Sequence, residues 1–233
     1  MRVPELIYCA SGNARFAQIA IDTGFKYGAQ LPPRGLHFWP YFVDQDWKNP
    51  DRTRYMAELE KHRPFMASVL DWERADQLGE VLGWAEDAAQ FAQVIMIIPK
   101  VIGGIGLIPR AIGGKPVRLG YSVPTKFSGT QVPVWEFCGW PVHLLGGSPK
   151  AQFKTAHYLD VVSADGNMCQ LMATKYCAYF TIERVPGAKN HPWPTLKETN
   201  NGINWGDGSN TAGAPYEAFA RSCRNIMQMW EQG

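Results

Sequence analysis

Three aspartates each follow a short apolar stretch: Asp44 comes after YFV, Asp71 after ASVL and Asp165 after VVSA. Carboxylates can transfer protons, and they can attack a sugar carbon to form a covalent intermediate. An aspartate after one strand also closes turns and caps helices, which is the ordinary structural explanation for each residue taken alone. Three carboxylates at one edge of a sheet are costly to desolvate without a ligand, so the set as a whole indicates a binding or catalytic site.

Neighbours of these aspartates complete the candidate site with polar groups, flexible glycines and an aromatic wall for a flat ring. They are Asp46, Trp72, Lys100, Gly146, Gly147, Ser163 and Asn167. Trp47 is a second candidate for the aromatic wall, although most tryptophans pack in the core. Lys100 stands at the end of an apolar run, where it could neutralise a phosphate, but isolated lysines are equally common on solvated surfaces.

Familiar metal and phosphate motifs are absent from the sequence. The five histidines show no HxH or HExxH spacing, and the five cysteines form no CxxC pair, so neither a zinc site nor a disulfide framework is expected. His143, inside an apolar run, has the pattern of a core or rim residue. The glycine-rich segments GGIG and AIGGKP lack the GK[ST] of a P-loop. We therefore expect no metal and no cofactor.

The composition is that of a folded protein with one substantial core. The chain has 233 residues, of which 45% are hydrophobic, and a formal net charge of +2. Such a weak positive charge excludes a histone-like nucleic-acid binder but leaves a local basic groove open. No apolar segment is long and unbroken enough to span a bilayer, and the N-terminus lacks the pattern of a signal peptide. A cytoplasmic protein with no membrane segment is expected.

Short apolar runs alternate with helical patterns, which predicts an α/β protein with a parallel sheet, either open or closed into a barrel. We count about seven strands, within residues 6–12, 41–46, 64–73, 94–101, 118–124, 141–147 and 160–165. Helices are expected at residues 13–24, 50–63, 74–92, 132–140 and 148–159. Such sheets bind their ligands at the carboxyl ends of the strands, where the three aspartates stand.

The C-terminal part of the sequence departs from this alternation. Residues 183–212 are rich in proline, glycine and asparagine and predict a long loop, and residues 214–232 predict a terminal helix. Four apolar residues of that helix are expected to pack on the body, namely Ala218, Phe219, Ile226 and Trp230. We therefore divide the chain into a barrel over residues 1–182 and a loop and helix over residues 183–233.

The order of these motifs resembles that of the tRNA-guanine transglycosylases, especially their phage and bacterial relatives that insert 7-deazaguanine bases into DNA. The resemblance covers about residues 40–167 and rests on YFVDQD, MASVLDWE, VIMIIPKV, VHLLGGSP and DVVSADGN. It implies a (β/α)8 TIM-like barrel, compact or irregular, and a glycosyltransferase that exchanges guanine in DNA for a preQ0-like 7-deazaguanine base. It also implies a protein of the bacterial or phage-infected cytoplasm.

The resemblance assigns a role to each matched aspartate. Asp165 corresponds to the nucleophile that forms a covalent intermediate with the sugar, although a strict count along the strand would put Ser163 at that position. Asp44, or Asp46 in its place, corresponds to the aspartate that contacts the base and transfers protons. Asp71 corresponds to the aspartate that recognises the guanine-type edge, a role that suits an acceptor-only carboxylate.

Several features depart from the family pattern. The zinc-binding CxCxxC motif is absent, and Pro99 and Lys100 stand where the family carries a Gln-Gly pair. The absent zinc motif and the short chain favour DNA over tRNA as the substrate. The alternatives are a hydrolytic N-glycosidase or nucleoside-processing barrel, in which water replaces the incoming base, and a non-catalytic nucleic-acid-binding subunit. For the protein itself, a homodimer and a partner subunit both stay open.

Overall fold

The computed structural model describes residues 2–9, 13–32, 36–126, 129–199 and 213–233. Within these ranges, eight parallel strands close into a barrel with flanking helices, which confirms the predicted TIM-like α/β barrel. The barrel strands are β1 (Glu5–Cys9), β2 (Lys26–Leu31), β3 (Phe42–Gln45), β4 (Met66–Ser68), β5 (Val94–Ile97), β7 (Lys115–Ser122), β8 (Pro141–Leu145) and β9 (Asp160–Asp165). A further short strand, β6 (Ala111–Ile112), pairs antiparallel with β7.

The sheet closes into a barrel because the two end strands of its parallel part, β5 and β7, pair with each other. β1 pairs with β2 on one side and β9 on the other, so that Ile7 lies beside both Lys26 and Asp165. β5 pairs with β7, with Ile95 opposite Val117. Because the eight barrel strands run in the same direction, their carboxyl ends lie at one end of the barrel, which we call the rim.

β2 is a strand that the sequence pattern did not predict. Its sequence, KYGAQL, contains a glycine, a lysine and a glutamine and lacks the apolar run of the other strands. A Cβ on Gly28 would lie 2.9 Å from Cγ2 of Ile7 and 3.2 Å from Cδ1 of Phe42, so the absence of a side chain lets the neighbouring residues fill the barrel. The count of about seven strands was therefore one too low for the barrel of the described residues.

The described helices lie mostly between consecutive strands. They are α1 (Ala14–Asp22), α2 (Arg52–His62), α3 (Leu78–Ala88), α4 (Pro149–Thr155), α5 (Met168–Tyr176), α6 (Leu196–Thr199) and α7 (Ala214–Gln232). The hydroxyl of Ser148 caps α4 by accepting a hydrogen bond from the third following N–H group. The carboxylate of Asp51 caps α2 by accepting a hydrogen bond from the N–H of Arg54. In residues 132–140 the structure has only a 3-10 turn, Val134–Phe137.

The C-terminal helix α7 is the longest described helix. It packs against α1 and α5. Its predicted contact face is confirmed by the burial of Ala218, Phe219, Ile226 and Trp230. A long loop was predicted over residues 183–212. The structure describes residues 183–199 of this range, which include the short helix α6, and residues 200–212 lie outside the described residues. None of the helices in the described part of the chain is long and apolar enough to cross a membrane.

The interior of the barrel is filled with side chains and combines apolar with polar groups. Its apolar cluster comprises Ile7, Phe42, Met66, Val94, Met96 and Ile98. Strands β7, β8 and β9 add Arg118, His143 and Ser163, and the His143 ring lies 5.1 Å from the Phe42 ring. A filled barrel leaves the rim as the place for a ligand.

Candidate active site

A cavity of about 760 Å³ opens at the rim. This volume lies within the range of about 300–1,000 Å³ that small-molecule sites occupy. Its wall is formed by residues at the ends of β1, β2, β3, β7, β8 and β9 and by α5. The lining side chains with chemical potential include Cys9, Gln30, Asp44, Trp47, Asp165 and Gln170. Two of the three predicted aspartates, Asp44 and Asp165, therefore face one cavity.

Asp44 stands near the end of β3, and its pKa is raised to about 7. Burial is the main cause; the hydrogen bond from Ser68 opposes the rise, and the negative charges of Asp165 and Asp71 add to it. The hydrogen bond joins Oγ of Ser68 to Oδ1 of Asp44 over 2.6 Å. Near neutral pH the Asp44 carboxyl can therefore both donate and accept a proton, as a general acid–base group must.

Asp165 ends β9, and its side chain is only 12% exposed. Its Oδ1 accepts a hydrogen bond of 3.1 Å from the backbone N–H of Gly146. Gln152 fixes the backbone around this contact, because its amide nitrogen donates to the carbonyl oxygens of Asp165 and Gly146. Gly146 and Gly147 have φ values of 63° and 77°, which other L-residues rarely adopt. The predicted glycine pair thus forms the turn that brings an N–H group to the carboxylate.

Cys9, at the end of β1, interacts with both carboxylates. Burial, together with the charges of Asp165 and Asp44, raises the pKa of the thiol well above its usual range. Because the thiolate is the reactive form of cysteine, a thiol held in its protonated form serves as a donor and not as a nucleophile.

Asp71 follows β4 and is engaged in an ion pair with Lys100. Its Oδ2 lies 2.7 Å from Nζ of Lys100, which also reaches Oε1 of Glu73 at 3.1 Å. Burial raises the pKa of Asp71, and the hydrogen bond and charge of Lys100 oppose that rise. Neither Asp71 nor Lys100 is part of the cavity wall. Their roles in recognising a base edge and a phosphate remain predictions.

The two candidate aromatic walls have opposite environments. Trp47 is 57% exposed and lines the cavity. Trp72 is 1% exposed; its Nε1 donates to the carbonyl oxygen of Arg74, and a Cβ on Gly104 would lie 2.5 Å from its ring. A buried indole offers no free face to a base. The expectation that Trp72 forms an aromatic wall for a base is corrected accordingly, and Trp47 is the tryptophan that lines the cavity.

The remaining predicted residues lie at different depths. Asn167 is part of the cavity wall. Asp46 is outside that wall, and its carboxylate accepts a hydrogen bond from the N–H of Lys48 in the turn after β3. Ser163 has no exposed surface and lies inside the barrel, where its Oγ is 2.6 Å from Nδ1 of His143. The expectation that Ser163 lies at the rim is therefore corrected, because a substrate cannot reach it.

Sequence reasoning missed several residues at or next to the cavity, among them Cys9, Gln30, Ser68 and Gln170. Cys9 ends β1, but the first strand was predicted within residues 6–12, so the strand-end rule did not point to it. Gln30 lies on β2, the strand that was not predicted. Ser68 carries no sequence signal, because its contact with Asp44 depends on the pairing of β3 with β4.

The cavity brings together groups for acid–base and nucleophilic chemistry on one ligand. Asp44 has a pKa near neutrality, and Asp165 receives a backbone N–H donor at the same cavity. Pairs of carboxyl groups in different environments cleave glycosidic bonds by this division of roles. Among the described residues, no group of three or more His, Cys, Asp or Glu side chains is arranged to hold a metal ion.

Comparison with known families gives one assignment. A profile described as "Family of unknown function (DUF6610)" matches residues 21–231, so the chain belongs to that family. The matched range includes every cavity residue discussed above except Cys9. No protein of curated function matches the chain.

Proposed function

We propose that this member of the DUF6610 family exchanges guanine in DNA for a 7-deazaguanine base through a covalent aspartyl intermediate. The observation that carries the proposal is the presence of two carboxyl groups, Asp44 and Asp165, on one cavity at the rim. A two-step exchange at a sugar carbon needs one carboxylate as nucleophile and one carboxyl as acid and base. The motif order of the sequence supports guanine as the base that is exchanged.

In the first half of the reaction, a carboxylate oxygen of Asp165 attacks C1′ of a deoxyguanosine in DNA. The bond between C1′ and N9 of guanine breaks, and its electron pair stays on the purine. The protonated carboxyl of Asp44 gives its proton to the purine, so guanine leaves as a neutral base and Asp44 becomes a carboxylate. The deoxyribose is then held as an ester of Asp165.

In the second half, the 7-deazaguanine base binds in the place of guanine. The Asp44 carboxylate accepts the proton from N9 of this base, and N9 attacks C1′ and displaces the Asp165 carboxylate. Two successive displacements restore the original configuration at C1′. Both side chains return to their starting protonation states, so the exchange consumes no other reactant.

Side chains on the cavity wall supply the contacts that a purine requires. Trp47 presents an exposed indole on which a base can stack. Gln30, Asn167 and Gln170 add amide groups, each of which donates and accepts hydrogen bonds. This combination of one ring and several amides suits a flat heterocycle with both donor and acceptor edges.

The position of Lys48 beside Trp47 supports DNA as the substrate that carries the base. Enzymes that act on a base in a duplex turn the nucleotide out of the stack, and its phosphates then lie at the mouth of the site. Lys48 follows Trp47, and its Nζ lies 5.2 Å from the centre of the indole ring. A cation beside the stacking surface suits the backbone of an extruded nucleotide.

The proposal is tested by incorporation of radiolabelled preQ0 into duplex DNA, measured together with release of labelled guanine from the same DNA. We expect the wild type to do both and Asp165→Asn and Asp44→Asn to do neither. Asp160→Asn is the matched control, because Asp160 is exposed at the opposite end of the strand that carries Asp165. The control should exchange bases at the wild-type rate.

The same assay separates the alternatives. Guanine release without incorporation would assign a hydrolase. Binding of DNA with neither release nor incorporation would assign a non-catalytic nucleic-acid-binding protein. Incorporation by Asp165→Asn at the wild-type rate would overturn the covalent aspartyl intermediate.

A further inference from the structure

A chain of polar side chains runs through the barrel interior to Asp165. Nη1 of Arg118 donates a hydrogen bond of 2.8 Å to Oγ of Ser163. The same Oγ lies 2.6 Å from Nδ1 of His143, and Nε2 of His143 lies 3.7 Å from Oδ1 of Asp165. His143 and Ser163 have no exposed surface. Among the described residues, Nε2 of His143 has no hydrogen-bond partner within bonding distance.

The contacts of Ser163 determine where the protons of this chain lie. The guanidinium of Arg118 can only donate, so Oγ of Ser163 accepts from it. The serine hydroxyl still has one proton to place in a buried site, and Nδ1 of His143 is the acceptor within reach. If Nδ1 carried the proton, the hydroxyl proton would lack an acceptor, and the bare Nε2 would face a carboxylate. The proton of His143 therefore belongs on Nε2.

We propose that His143 is a positioning residue that directs its Nε2–H at Oδ1 of Asp165, and that Arg118 and Ser163 hold it in this tautomer. The proposal rests on the proposed function in one respect, which is that Asp165 is the nucleophile. The backbone N–H of Gly146 already donates to the same Oδ1. Two donors thus converge on one oxygen of Asp165, which assigns the other oxygen, Oδ2, to the bond with C1′.

This arrangement serves both halves of the exchange. While Asp165 is a carboxylate, the two N–H groups hold its plane and keep Oδ2 turned toward the substrate. In the ester, Oδ1 becomes the carbonyl oxygen, and the same donors stabilise the negative charge that returns to it as the incoming base displaces the carboxylate. A closure of the 3.7 Å separation between Nε2 and Oδ1 to hydrogen-bond length is expected as this charge returns to Oδ1.

A pair of variants separates the donor from the shape of the ring. His143→Gln keeps an N–H donor near the position of Nε2, whereas His143→Met removes it with a side chain of similar size. The readouts are the rate at which the 7-deazaguanine base discharges the DNA–protein adduct in a single turnover and the KM for DNA. We expect His143→Met to slow this discharge roughly 10- to 100-fold with KM unchanged, and His143→Gln to restore most of the rate. Equal rates in His143→Met and wild type would overturn the proposal, as would equal loss in both variants.

A spectroscopic measurement tests the tautomer without any activity. The ring nitrogens of His143 are identified by two-bond ¹H–¹⁵N correlation in the full chain, with His143→Gln to assign the signals. We expect a protonated Nε2 in the wild type and a mixture of tautomers in Ser163→Ala. A protonated Nδ1 in the wild type would overturn the proposal even if bases are exchanged. If the wild type exchanges no base but Nε2 is protonated, the proposed function fails and the assignment of the His143 proton stands.

Discussion

The hydroxyl of Ser68 on β4 donates a hydrogen bond of 2.6 Å to Oδ1 of Asp44 on β3. Oγ of Ser68 in turn accepts a hydrogen bond of 2.9 Å from the N–H of Gln45, so the hydroxyl proton is directed at Asp44. A hydrogen bond to the ionised form of a carboxyl group lowers its pKa, whereas burial raises it. The pKa of about 7 at Asp44 is the balance of these two opposing effects, to which the charge of Asp165 adds.

Ser68→Ala should therefore move the proton transfer of Asp44 to higher pH. Without the hydroxyl, the effect of burial is unopposed, and the pKa of Asp44 rises further. The limb of the pH–rate profile that reports loss of the Asp44 proton should shift upward by about one unit. Base exchange measured from pH 5 to pH 10 gives this profile. Ser122→Ala, at the wall of the same cavity, is the control, and a limb that stays in place in Ser68→Ala would contradict the prediction.

Asp44→Asn should stabilise the protein more at pH 8 than at pH 5. The pKa of Asp44 is raised from 3.8 to about 7 on folding, so its contribution to stability is complete below about pH 3.8 and is lost as pH rises through about 7. An uncharged asparagine does not incur this loss. The advantage of the variant in the free energy of unfolding should grow by about 2–3 kcal/mol between the two pH values.

Urea denaturation of wild type and Asp44→Asn at both pH values provides the measurement. Asp160→Asn is again the control, since it makes the same substitution at an exposed site away from the cavity. A constant advantage of Asp44→Asn across the range would mean that the Asp44 carboxyl ionises in the folded protein as it does in the unfolded chain.

The strand-end rule explains which part of the site the sequence could reveal. Asp44 and Asp165 were found because the carboxyl ends of all parallel strands lie at the rim of a barrel, so a polar residue at such an end is placed there. Trp72 obeys the same pattern in the sequence, but β4 ends at Ser68, and the chain beyond it turns the indole into the core beside Gly104. Where a strand stops depends on pairing with its neighbours, which the sequence of one segment does not contain.

The interior of the barrel was beyond sequence reasoning for a related reason. His143 meets Ser163 because β8 and β9 are neighbours, with a shift of register between Val142 and His143. Arg118 joins them from β7, although 45 positions separate it from Ser163 in the chain. Such contacts depend on strand order and register together, and a single irregularity changes which side chains face inward.

The ion pair between Asp71 and Lys100 should behave as a structural unit. Lys100→Met leaves a largely buried carboxylate without its partner and should lower the free energy of unfolding by about 1–3 kcal/mol. The double variant Asp71→Asn with Lys100→Met should recover much of this loss, because it removes both charges. Chemical denaturation of the two single variants and the double variant gives the coupling energy.

Lys61→Met is the control for loss of a lysine from an exposed ion pair, since the side chain of Lys61 is 66% exposed. This variant should change the free energy of unfolding by less than about 0.5 kcal/mol. Additive effects of Asp71→Asn and Lys100→Met would show that the two side chains do not stabilise each other. Asp71 would then be left for the predicted recognition of the base edge.

Trp47→Ala should weaken substrate binding while leaving the fold intact. Its indole lines the cavity and is largely exposed, so removal costs little packing but takes away the surface on which a base stacks. Stacking on an aromatic side chain is worth about 1–3 kcal/mol per base, which corresponds to roughly a 5- to 150-fold loss of affinity for DNA. Fluorescence anisotropy with labelled DNA measures the affinity, and thermal denaturation checks the fold. Trp135→Ala is the control, because it removes another exposed tryptophan that is not part of the cavity wall, and this variant should bind DNA like the wild type. Equal loss of DNA affinity in both variants would place the stacking surface elsewhere.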